Sequence, residues 1–255
     1  MQLNITQREL TLKMVYYGPA LSGKTTNLRQ LHERILPARR GHLMELATSD
    51  DRTLFFDTVP LLFRAGGVKV KLRLFTVPGQ VLHNSTRRIV LQGADAVAFV
   101  ADAQPFKRHD NFQYWADLEE NLRASGLTLD RLPHVVQWNK MDLGDDTTAQ
   151  AVQAMRSESR RPVFEATAVR GEGVLETFFG LATLMYETLD KEQGISSRLN
   201  LTRHAFLDEV GHCFTGELPS PATLAAASAT ATPTTATGSP LVFPRLAVVP
   251  KPGGA

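Results

Sequence analysis

The stretch Gly18-Pro19-Ala20-Leu21-Ser22-Gly23-Lys24-Thr25-Thr26 constrains this chain more than any other. It is a complete G-x-x-x-x-G-K-[ST] pattern. Before it runs Leu10-Thr11-Leu12-Lys13-Met14-Val15-Tyr16-Tyr17, alternating and β-prone. After it, Leu28, Leu31 and Ile35 recur on one helical face. Strand, glycine loop and helix together form the context in which such a loop cradles a polyphosphate. The glycines free the backbone to curl so that its N–H groups point inward, and the helix N-terminus adds its positive dipole end. Lys24 is expected to reach the β- and γ-phosphates, and the Thr25 hydroxyl to ligate Mg²⁺.

A second motif addresses the base. Pro133-His134-Val135-Val136-Gln137-Trp138 reads as a buried strand ending in Asn139-Lys140-Met141-Asp142. A carboxylate at Asp142 can accept from both N1–H and the exocyclic amine of guanine, a pairing adenine does not offer. A wrong base leaves such polar groups unpaired, so the discrimination is sharp. Further on, Glu165-Ala166-Thr167-Ala168-Val169-Arg170-Gly171-Glu172-Gly173 resembles the E-x-S-A-K-x-G-x-G loop of small GTPases. There the backbone N–H of Ala168 would meet guanine O6.

Between these lies Leu72-Arg73-Leu74-Phe75-Thr76-Val77-Pro78-Gly79-Gln80. In Ras-like GTPases this strand ends D-x-x-G-Q; here Gly79 and Gln80 are present and Thr76 stands in place of the Asp. Together with Asp51-Arg52-Thr53-Leu54-Phe55-Phe56-Asp57 and Val15-Tyr16-Tyr17-Gly18, the chain closely resembles the MglA-type bacterial Ras-like GTPases of gliding motility and cell polarity, over roughly residues 5 to 190. The resemblance implies an α/β P-loop fold, a mostly parallel six-stranded sheet flanked by helices. It implies GTP, GDP and Mg²⁺ as ligands and a Roadblock-type, MglB-like homodimeric activating partner.

On that reading the nucleotide is held by Gly18, Ala20, Leu21, Ser22, Gly23, Lys24, Thr25, Thr26, Gly79, Asn139, Lys140, Asp142, Ala168 and Val169. Gln80 would orient the attacking water, and Arg52 would stabilise charge on the γ-phosphate from within the chain. Thr25 and Thr53 would ligate the metal, with Thr48 as the rival switch threonine. Two departures weigh on turnover. Thr76 removes a negative charge beside Mg²⁺, and the Ala20 methyl crowds the space that Gln80 and Arg52 need. A GTP-binding scaffold with little hydrolysis is therefore the alternative to a GTP-hydrolysing switch, while a P-loop ATPase or kinase is disfavoured by Asn139, Lys140 and Asp142.

Strands are expected at 10–17, 54–63, 68–76, 95–101, 133–139 and 163–167, and helices at 24–35, 110–125, 147–157 and 173–190. Gly66-Gly67 reads as the turn of the sheet's one antiparallel pair. Asp102 closes a buried strand and is expected to be a helix cap or, failing that, a loop anchor. Arg34, Arg39, Arg40, Arg87 and Arg88 gather near the switches, where they are either solvated or open to an acidic partner.

The boundaries expected are 5–192 for the GTPase domain, 193–218 for a short helical extension and 219–255 for a disordered tail. Leu201, Phe206, Val210 and Phe214 give the extension an apolar side that docks on the domain or awaits a partner. Seven of the 14 prolines fall within residues 219–255, a composition that does not pack.

The formal net charge is +2 with 21% charged residues, so no bulk field calls for nucleic acid. Cys213 is the only cysteine, which suits a reducing cytoplasm. No stretch has the length of a membrane span, and no lipidation motif is present, so the chain is expected to have no membrane anchor of its own.

Overall fold

A computed structural model describes residues 1–40, 44–47, 53–77, 84–159, 161–220 and 222–224. Its strands are β1 (Gln2–Asn4), β2 (Glu9–Tyr17), β3 (Met44–Ala47), β4 (Thr53–Ala65), β5 (Val68–Thr76), β6 (Ala96–Asp102), β7 (His134–Asn139) and β8 (Val163–Ala166). Its helices are α1 (Lys24–Arg34), α2 (Asn84–Leu91), α3 (Arg108–Ala124), α4 (Asp146–Glu158), α5 (Val174–Gln193), α6 (Ile195–Leu199) and α7 (Arg203–Gly211). One sheet runs β3-β4-β5-β2-β6-β7-β8, with β1 pairing β2 off that path. From β5 to β8 the pairing is parallel throughout.

The period-two pattern of β2 divides the interior. Leu10, Leu12, Met14 and Tyr16 join one core with α1, α5 and α7, whereas Val15 and Tyr17 join the other with α3 and α4. Every residue of β6 is buried, as expected for a central parallel strand covered on both faces.

The architecture departs from the sequence expectation in three respects. Among the described residues the sheet has eight strands where six were expected, because β1 and β3, of three and four residues, are too short for their pattern to be read as strands. Among the described residues three antiparallel pairs occur rather than one, since β1–β2 and β3–β4 join the β4–β5 hairpin. Helix α2 was not anticipated.

The segment after Gln193 docks on the domain. Phe206 is wholly buried, with its ring 5.7 Å from Phe63 and 5.3 Å from Tyr186. Phe214 lies 5.2 Å from Phe178 and 5.8 Å from Phe179. It forms a β-bridge with Ile35, flanked by Leu36 N–H to Cys213 O (2.8 Å) and Thr215 N–H to Arg34 O (2.7 Å). The expected tail from 219 falls largely outside the described residues. Among the described residues, no helix is long and apolar enough to cross a membrane.

Candidate nucleotide site

The phosphate loop begins where β2 ends and runs straight into α1. It lies at the carboxyl end of the parallel strands, the edge where open α/β sheets bind ligands. Two glycines permit its path. Gly18 has φ 144°, and a Cβ there would lie 2.2 Å from the Val100 carbonyl oxygen. Gly23 has φ 97°, and a Cβ there would lie 2.0 Å from Asn139 Nδ2. Leu21 also adopts a positive φ, 62°, with its side chain 84% exposed. A leucine gains nothing locally from this conformation, so the loop imposes it.

Lys24 is buried at the first turn of α1, and its Nζ donates to Gly18 O (2.9 Å) and Pro19 O (2.6 Å). Burial pulls its ammonium down to about 7, with Arg87 and Lys140 as further cationic influences. Among the described residues no carboxylate pairs with it. The Ser22 hydroxyl is also buried and lacks a hydrogen-bond partner there. A buried cation held only by carbonyls, beside an unmatched hydroxyl in a glycine cradle, suits a polyanion. Thr25 and Thr26 follow in the same turn, both half-buried. Ala20 is half-buried too.

Asn139, at the end of β7, joins three loops. Its Nδ2 donates to Ser22 O (2.7 Å), and its Oδ1 accepts from Ala168 N–H (2.9 Å). The Ala168 N–H assigned to guanine O6 is thus engaged by Asn139 in this structure. Lys140 sits in the left-handed region at φ 65°, and its Nζ lies 2.6 Å from the fully buried Asp102 carboxylate. Asp102 also accepts from Gln104 N (3.1 Å) and Gln104 Nε2. It caps neither α3 nor the short turn before it: Lys107 and Gln104 hold those positions. Asp102 is therefore the loop anchor, tying the end of β6 to the end of β7. Asp142 is partly exposed, 3.9 Å from Arg170 Nη1. Val169 is 70% exposed.

The remaining expected residues fall differently. Gly79, Gln80, Arg52 and Thr48 lie outside the described residues. Thr53 opens β4. Thr76 is buried, paired in register with Tyr16 and Phe56. Arg87 is corrected outright: at 3% exposure it is no surface group for an acidic partner. It pairs with Asp117, Nε to Oδ2 2.9 Å. Arg88 donates to Asn121 Oδ1 (2.9 Å). Sequence reading also missed the buried amide pair of Asn27 and Gln137 behind the loop, whose only signal was a glutamine inside an otherwise apolar strand.

No family model matches the chain. It is 39% identical over 190 residues to the mutual gliding-motility protein MglA of Myxococcus xanthus (strain DK1622), a match that spans 74% of this chain and 97% of that protein. With a phosphate loop, an N-K-x-D strand end and a third loop meeting at one edge of a mostly parallel sheet, the chain belongs to the MglA-type small GTPases.

Proposed function

We propose that this chain is a guanine-nucleotide switch that hydrolyses GTP slowly, speeds up with a Roadblock-type partner, and acts in the cytoplasm in cell polarity or gliding motility. The observation that carries the reading is Asn139, which binds Ser22 of the phosphate loop and Ala168 of the third loop at once. One side chain thereby sets the phosphate-facing and base-facing loops relative to each other. The name of the M. xanthus relative supports the cellular role.

In this reading Lys24 moves from its two carbonyls to the β- and γ-phosphates, exchanging neutral acceptors for charged ones. Asp142 reads the guanine edge. Gln80 aligns water, and Arg52 neutralises charge as the bond to the γ-phosphate breaks. The described residues contain no group of three or more His, Cys, Asp or Glu side chains suited to a metal ion. Mg²⁺ keeps waters and takes most of its ligands from phosphate in sites of this kind. Thr25 and Thr53 would hold it, and it would neutralise phosphate charge when bound. A scaffold that retains GTP is the second reading, favoured by alanine and a strained leucine at the centre of the loop.

Guanine nucleotides are expected to bind at least about a hundredfold more tightly than adenine nucleotides, the scale of losing buried paired hydrogen bonds. Asp142→Asn should shift the preference toward xanthine, whose C2 carbonyl accepts from the new amide. Equal wild-type affinity for ATP and GTP would overturn the assignment. Single-turnover phosphate release separates switch from scaffold.

A further inference from the structure

The third loop, residues 167–173, is braced from two directions. From β7, Asn139 Oδ1 accepts the Ala168 N–H. From α1, Arg34 and Gln30 press against Gly171: a Cβ on that glycine would lie 2.2 Å from Arg34 Nη2 and 2.8 Å from Gln30 Oε1. Arg34 is the last residue of α1, so its carbonyl finds no donor inside the helix. Thr215 supplies two, its N–H at 2.7 Å and its Oγ1 at 3.1 Å. Just before it, the buried Phe214 bridges to Ile35 and sets its ring 5.2 Å from Phe178 and 5.8 Å from Phe179. Those two rings stand near the start of α5, which begins at Val174 directly after the loop. Phe214 and Thr215 thus tie the helix that braces the loop to the helix that leaves it.

We propose that Arg34 and Phe214 are positioning residues for the guanine base: by holding the end of α1 against the start of α5, they keep the third loop ready to receive it. This deepens the guanine-nucleotide reading above and rests on it. The first turn of α1 is secured separately, through Asn27 to Gln137 and to Gly23 O. Arg34 closes the same 11-residue helix that Lys24 opens, about 15 Å further along its axis. Loosening that far end therefore leaves the phosphate loop in place while freeing the loop that faces the base. A loop set free must be ordered when the base arrives, and that cost comes out of affinity. The cost falls on recognition of the base and spares the phosphates.

A general loss of packing weakens every nucleotide alike, whereas loss of positioning weakens guanine selectively. Competition binding with the full chain in Mg²⁺, using GDP and ADP, gives the ratio of the two affinities. Phe214→Ala and Arg34→Ala should each lower that ratio about three- to tenfold, the scale of ordering one or two side chains on binding, with ADP affinity held within about twofold. The double variant should fall little further than the larger single change, since both act through one contact. Phe214→Met refills the space and should hold the ratio within about twofold even where its melting temperature falls. Amide exchange without nucleotide gives a second readout. The Thr167 and Gly171 N–H groups, bonded to Glu172 O and Ala168 O, should exchange faster in Phe214→Ala. The Asn27 N–H, bonded to Gly23 O, should keep its rate. Should Phe214→Ala fail to fold, Arg34→Ala decides alone. A ratio that does not move, or GDP and ADP affinities that fall together, would overturn the inference while leaving the nucleotide site standing. A wild-type chain that binds GDP and ADP equally would overturn the guanine reading and this inference together.

Discussion

Asn27 and Gln137 exchange two amide hydrogen bonds, each 2.8 Å, across the gap between α1 and β7. Asn27 also donates to Gly23 O (3.0 Å), and Gln137 to Thr177 Oγ1 (2.8 Å), which in turn donates to Gly173 O (2.7 Å). Both amides are completely buried. The first turn after the phosphate loop is thus bolted to the sheet and to α5 by a closed polar chain.

Gln137→Leu should therefore cost about 2–3 kcal/mol, since it leaves the Asn27 amide buried without its partner. Removing both amides together should cost clearly less than the sum of the single changes. Denaturant unfolding of the two single variants and the double variant measures this. Strict additivity would mean that the amides do not act as a pair.

The docked extension makes a contrasting pair of predictions for truncation. Ending the chain after Gln193 strips Leu201, Phe206, Val210 and Phe214 from the core and should abolish cooperative folding. Phe206→Ala alone should cost about 3–5 kcal/mol. Removing residues 219–255 should leave thermal unfolding and nucleotide binding nearly unchanged, because a Pro- and Ala-rich stretch buries little. A large loss on that shorter truncation would show a packed tail.

His134 gives the apoprotein an acid sensitivity. Its Nδ1 bonds Leu132 O at 2.9 Å, its Nε2 is buried with no hydrogen-bond partner among the described residues, and burial pushes the imidazole from its ordinary 6.5 down to about 4. Above pH 6.5 the ring is neutral in both folded and unfolded chains. Between 6.5 and 4 the unfolded chain binds the extra proton, so stability falls as pH drops through that window, by at most about 1.4 kcal/mol per pH unit. His134→Phe should lower absolute stability yet flatten this slope. An unchanged slope in urea midpoints across the window would assign the acid sensitivity elsewhere.

Ala20→Gly should speed single-turnover GTP hydrolysis, alone or with an activating partner, without tightening GTP. Crowding that matters only in the transition state shows in the rate and not in affinity. Gln80→Ala added to that variant should take the gain away. No change in rate under either condition would mean that the loop has already adjusted around the methyl.

The strand ends that carry Gly18 and Asn139 were legible because each follows an apolar run broken by polar or glycine residues. The same logic located β6 from Ala96-Val97-Ala98-Phe99-Val100. Helix α2 was hidden: Thr86-Arg87-Arg88-Ile89-Val90 mixes two charges with β-branched residues, and the helical period is masked. Arg87 looked like a surface cation because its partner lies thirty positions away on α3, and burial of a charge depends on such a partner. Asp102 was placed at a strand end, but its role hangs on Lys140, which reaches it only once β6 and β7 are neighbours. Local pattern exposes backbone and loops; long-range ion pairs need the assembled sheet.

The bridge between Ile35 and Phe214 ties the C-terminal extension to the end of α1. Thr215 is hydrogen-bonded to Arg34 there, where α1 hands over to the segment beginning at Pro37, and Leu224 further on still packs against the core. Whatever the chain carries beyond Leu224 is covalently attached to this side of the body. Covalent attachment through a short flexible linker gives an attached motif an effective concentration on the order of millimolar. A binding motif of very modest intrinsic strength, attached there, would compete successfully with free partners for the same ground.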